Sequence, residues 1–62
     1  MNRRDLIEHL TNNSCYKVRS KGGHAIFRNK VNGKIAPISI HKRSLNPPMV
    51  ATICRELGIP RP

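Results

Sequence analysis

Acidic residues are scarce in this chain: 3 Asp and Glu stand against 12 Lys and Arg in 62 residues, a formal charge of +9. That balance argues against an ordinary neutral soluble domain and ranks the partners as nucleic acid first, an acidic protein second and an anionic membrane surface third. Long apolar runs are missing too, which excludes a membrane-spanning helix. Neither helix candidate combines a basic face with a broad apolar one, so the membrane surface is disfavoured as well. Met1-Asn2-Arg3-Arg4-Asp5 has no apolar core behind it and does not read as a signal peptide, so a cytoplasmic setting is expected. Aromatics amount to Tyr16 and Phe27, both wanted in a core, which leaves little for stacking on bases. The 2 cysteines, Cys15 and Cys54, form no C-x-x-C pair and are expected to be reduced thiols packed as small hydrophobes. Together with His9, His24 and His41 they show no close metal-ligand spacing, so neither a metal nor a cofactor is expected. Repeats, low-complexity tracts and linkers are absent, and residues 1–62 read as one domain with a thin core.

What is present is a clear order of local signals. Asn2 can cap a helix over residues 3–12, in which Leu6, Ile7 and Leu10 share one face and Asn12-Asn13-Ser14 ends the run. Arg3, Arg4, Glu8 and His9 fall off that stripe and read as solvated. Cys15 to Ser20 alternates as a half-buried strand. Lys21-Gly22-Gly23 turns the chain into a second strand, His24 to Arg28. Asn32-Gly33 predicts a two-residue turn into a third strand at Ile35 to Ile40. Pro37 lacks an amide donor, which places that strand at an edge. After the basic connector His41-Lys42-Arg43-Ser44, Asn46 caps a helix beginning at Pro47. Its stripe is Met49, Val50, Ile53, Cys54 and Leu57, and Gly58 closes it.

The fold class predicted is therefore α+β, in the order α-β-β-β-α, with a three-stranded antiparallel sheet and both helices on one face. If Tyr16, Val18, Phe27, Ile38 and Ile40 face the helices, the open face carries Lys17, Arg19, His24, Arg28, Ser39 and His41. Ile26 falls on that open face, where another protein would have to cover it.

His24 is the residue most open to chemistry. Two glycines before it allow a sharp turn and leave no side chains to block a partner. Imidazole ordinarily titrates near neutrality, so a histidine in cationic surroundings suits proton transfer on an anionic substrate. Taken alone, a histidine after two glycines is most often an ordinary turn residue, and the cations alone are a solvated face with generic phosphate affinity.

Three stretches together carry a resemblance: Asn2 to Leu10; Tyr16-Lys17-Val18-Arg19-Ser20-Lys21-Gly22-Gly23-His24-Ala25-Ile26-Phe27-Arg28; and Ile53-Cys54-Arg55-Glu56-Leu57-Gly58-Ile59. They resemble the HicA toxins of prokaryotic HicA–HicB toxin–antitoxin pairs, in order and over nearly the whole chain. The most specific part is the glycine and histidine segment followed by an apolar, aromatic and basic run. The resemblance implies a fold related to double-stranded-RNA-binding domains, cleavage of mRNA without the ribosome, and inhibition by a HicB-like antitoxin. It puts His24 at the family's catalytic position. The preceding residue, often serine in the family, is Gly23 here, so no hydroxyl hydrogen bond is carried over.

Metal-free RNA cleavage needs a base for the ribose 2′-hydroxyl and cations for the charge that builds on the phosphate. On this reading His24 is the base and His41 is a possible helper. Lys17, Arg19, Lys21, Gly22, Gly23, Arg28, Lys42 and Arg43 form the RNA-binding set. The expected partners are mRNA and an acidic HicB-like antitoxin that covers the His24 face. The alternatives are a non-catalytic RNA-binding module of the same fold, or a small basic protein associated with the ribosome or nucleoid.

Overall fold

Asn2 opens the fold as predicted: its side-chain oxygen accepts from the Asp5 N–H at 2.8 Å and starts α1, Arg3–Asn12. The computed structural model describes residues 1–62. After α1 come β1 (Cys15–Lys21), β2 (His24–Asn29), β3 (Ile35–Ser39) and α2 (Pro47–Leu57). The strands form an antiparallel sheet in the order β1-β2-β3. Asn46 caps α2 by accepting from the Met49 N–H at 2.9 Å, and Gly58 ends it in the left-handed region.

The core joins Leu6 and Leu10 of α1, Leu45, and Val50, Ile53, Cys54 and Leu57 of α2 to Cys15, Ala25, Phe27, Ala36 and Ile38 of the sheet. Cross-strand pairing puts Ala25 beside Ile38 and Phe27 beside Ala36, so all of these point to one face, and both helices pack there. α1 lies over β1 and α2 over β3. Each fully buried leucine contributes about 1.5–3 kcal/mol of hydrophobic stabilisation.

The first strand departs from expectation. Tyr16 is 43% exposed and Val18 45%, and neither belongs to the core. The buried residue of β1 is Cys15, opposite Asn29 on the helix-side face. Tyr16 then pairs with Arg28 on the open face, and Lys17 pairs with Phe27 on the helix side, contrary to its predicted place. A bulge at Val18 resets the alternation, so Arg19 pairs with Ile26 and returns to the open face. The cause is coverage: β1 is an edge strand of which only the first residue is buried, and apolar side chains further along it have nothing to pack against. Ile40 is likewise outside the core at 43% exposure, because β3 ends at Ser39.

The connection from β2 to β3 also differs from a two-residue turn. Gly33 has the positive φ expected of it, 77°, but five residues separate the strands. The buried Asn29 donates to the Leu57 carbonyl at 2.9 Å and accepts from the Val31 N–H at 2.9 Å. Asn32 donates to the same carbonyl at 3.1 Å. These two amides tie the loop to the end of α2 and satisfy a helix-terminal carbonyl.

Candidate functional site

The turn between β1 and β2 is built from residues that tolerate it. Lys21 pairs with His24, leaving Gly22 (φ 58°) and Gly23 (φ 79°) as a two-residue hairpin with both positions left-handed. His24 starts β2, exposed on the open face between its cross-strand neighbours Lys21 and Ser39. Its Nδ1 lies 3.2 Å from the Gly22 carbonyl oxygen. A carbonyl only accepts, so this contact holds the tautomer protonated at Nδ1 and leaves the Nε2 lone pair free to take a proton.

The same turn gathers the second histidine. The Gly23 carbonyl accepts from the Ile40 N–H at 3.0 Å, which draws the end of β3 against the hairpin. His41 follows, its own N–H donating to Ser39 Oγ at 3.3 Å. Its ring lies over Gly23: a Cβ built there would stand 3.1 Å from Nε2 and 3.2 Å from Cδ2. The absence of a side chain at position 23 leaves room for the His41 ring to pack this closely against the turn.

Between the β3 edge and α2 runs a cleft of about 270 Å³. His24, Ser39 and Lys42 line it from the sheet side together with Pro37 and Ile38. From α2 come Met49, Thr52, Ile53 and Glu56, whose spacing of three, four and seven residues puts them on one helical stripe. Lys42 was expected in the site. Thr52 and Glu56 were not, because they border the apolar stripe of α2 in sequence and only the packing of α2 beside β3 turns them toward His24.

Lys42 also lines a second, adjoining groove of about 470 Å³ with Asn2, Arg3, Arg4, Ile40 and Arg43. The N-terminal residues reach it because they pair with the connector: Arg3 N–H donates to the Arg43 carbonyl at 2.7 Å and Leu45 N–H to the Met1 carbonyl at 2.8 Å. Arg3 Nε donates to the Ser39 carbonyl at 3.2 Å. Four cations thus line one groove beside the histidine cleft. Arg3 and Arg4 read as solvated in the sequence, and no local pattern links them to residues some forty positions away.

Other predicted site residues lie elsewhere. Arg28 is on the face of His24 but four residues along β2, roughly 13 Å away, and its guanidinium leans over Gly33 at the far end of the sheet. Arg19 sits between these two ends. Lys17 lines a groove with Arg3, Ile7 and Phe27 at the α1 side. Cys15 and Cys54 are free and buried, and burial pushes both thiols above their ordinary pKa. No three or more His, Cys, Asp or Glu side chains form a group able to hold a metal ion, and no helix is long and apolar enough to cross a membrane.

Fold and site together define a small, strongly cationic α-β-β-β-α domain that presents a histidine beside a cleft and a four-cation groove. Residues 3–59 match the family described as "HicA toxin of bacterial toxin-antitoxin". The chain belongs to that family, so its role is that of a toxin and its partner is an antitoxin. No significant match was found among curated proteins or among solved structures.

Proposed function

We propose that this toxin is an endoribonuclease that cleaves mRNA in the cytoplasm, with His24 as general base and His41 as general acid. The observation that carries the reading is the convergence of both imidazoles on the Gly22-Gly23 turn, next to Lys42. His24 Nε2 takes the proton of a ribose 2′-hydroxyl, and O2′ attacks the adjoining phosphorus. Lys42 and Lys21 stabilise the charge gathering on the phosphate oxygens. The P–O5′ bond breaks, His41 protonates the leaving O5′, and the products are a 2′,3′-cyclic phosphate and a 5′-hydroxyl. The Arg3, Arg4, Lys42 and Arg43 groove holds the neighbouring phosphates of the strand. Every step uses side chains of this chain, so cleavage is expected to persist in EDTA.

A HicB-like acidic antitoxin inhibits the enzyme by covering the open sheet face. That face needs such a cover: it presents exposed Tyr16, Ile35 and Pro37 around the half-buried Ile26, interleaved with Arg19, Arg28 and His24. Acidic complementarity to a +9 surface speeds the encounter. The deciding experiment compares wild type with His24→Ala and His24→Gln in RNA cleavage, growth arrest and antitoxin binding. Loss of about 10²- to 10⁴-fold in cleavage, with antitoxin binding kept, is expected. Full cleavage and toxicity in either variant refutes the assignment, and RNA shifted on a gel but never shortened by wild type points to a binding module.

A further inference from the structure

The carboxylate in the His24 cleft is out of place on general grounds. This chain has 3 acidic residues, and Asp5 and Glu8 border a different cavity, at the outer side of α1. Glu56 alone brings negative charge into the cleft where a polyanion is to bind. It also stands in the last turn of α2, where the helix dipole disfavours an anion. Neither phosphate binding nor helix stability accounts for it, so the group that faces it should be a hydrogen-bond donor.

The rest of the cleft narrows the choice. Pro37 and Met49 give accessible apolar walls suited to a flat ring, with the buried Ile38 and Ile53 behind them, and about 270 Å³ is small for a drug-sized ligand but roomy for one base. Thr52 Oγ1 already donates to the Pro48 carbonyl at 3.0 Å, so toward the cleft its hydroxyl can only accept. A carboxylate likewise only accepts, through two oxygens. The wall of α2 is therefore acceptor-rich, with the cation Lys42 and the base His24 at the opposite rim.

We infer that this cleft is the base-recognition subsite beside the scissile phosphate and selects guanine, whose N1–H and N2–H bind the two Glu56 oxygens side by side. Adenine and cytosine offer one amino group, and uracil one imide N–H flanked by carbonyls that repel the carboxylate. The inference rests on the ribonuclease reading above, and the test separates the two.

Binding is measured by fluorescence anisotropy with His24→Gln protein, which preserves the RNA, and labelled uridine hexamers carrying one G, A, C or U at the variable position. The G hexamer should bind about tenfold more tightly than the all-uridine one, as one bidentate base contact provides. Glu56→Gln in the same background should bring the two within about twofold, since an amide matches only one of the two donors. Glu8→Gln removes an equal charge far from the cleft and should keep the preference. An absent preference, or one that survives Glu56→Gln, overturns the inference. If wild type leaves RNA whole while the Glu56-dependent preference holds, the cleft assignment stands and the nuclease reading falls.

Discussion

Replacing Gly23 tests whether the two histidines act together. Its φ of 79° is a conformation that costs a side-chain-bearing residue about 1–2 kcal/mol. Gly22, at φ 58°, carries the same kind of penalty, but a Cβ there meets nothing within 4 Å. Gly22→Ala is therefore a control for backbone strain alone. At Gly23 the new methyl would stand 3.1 Å from His41 Nε2, tighter than ordinary contact, so the ring has to give by a few tenths of an ångström. His41 is exposed, and so small a shift costs little stability. Both variants should thus melt about 4–8 °C lower for each kcal/mol of strain, with similar shifts. Their activities should diverge. Measured well below the melting transition on a short RNA with a single cleavage site, Gly22→Ala should stay near wild type. Gly23→Ala should fall below it, but by less than the about 10²- to 10⁴-fold expected of His41→Ala, the usual worth of one acid–base group. Added to His41→Ala, Gly23→Ala should cost nothing more, because it acts only through the His41 ring. Equal activity in Gly22→Ala and Gly23→Ala, or a further loss when Gly23→Ala is added to His41→Ala, refutes the pairing of the histidines.

Three further outcomes are expected. Asn29→Ala removes a buried amide that joins the β2–β3 loop to the Leu57 carbonyl, and urea denaturation should show a loss of about 1–3 kcal/mol, with less for the more exposed Asn32→Ala. Burial raises the Cys15 and Cys54 thiols above the ordinary 9.0, so their contribution to stability is full below that value and is lost as pH rises through the folded pKa values. A Cys15→Ala, Cys54→Ala double variant should accordingly show a shallower fall of the urea midpoint above about pH 9. Lys42→Ala should reduce the slope of log affinity for single-stranded RNA against log salt by about 0.7, whereas Lys17→Ala, on the helix-side groove, should leave it unchanged.

The parts of the fold that were legible are those set by near neighbours. Asn2 and Asn46 accept from amides three residues on, Pro47 fits a helix start, and Gly58 takes the left-handed end, all within one turn of chain. Gly22-Gly23 dictates a tight hairpin for the same reason. What misled was apolarity without coverage. Tyr16 and Val18 alternate as a buried face would, yet α1 covers only the start of β1, and a bulge shifts the register halfway along it. The Asn32-Gly33 turn was recognisable, while its length depended on Asn29 and Asn32 reaching Leu57 from a distant helix.

The candidate site divides along the same line. By itself the sequence determined the charge, the order of elements and the exposure of His24 on a glycine hairpin, because composition and short-range geometry suffice for these. Tertiary structure alone decided the company His24 keeps. His41 reaches Gly23 through the hydrogen bond from Ile40 to the hairpin, Arg3 and Arg4 reach Lys42 and Arg43 through the pairing of the N-terminus with residues 43–45, and Glu56 reaches the cleft because α2 packs beside β3. Each of these is a contact between segments far apart in the chain, fixed by which apolar faces bury one another, and no local spacing encodes it.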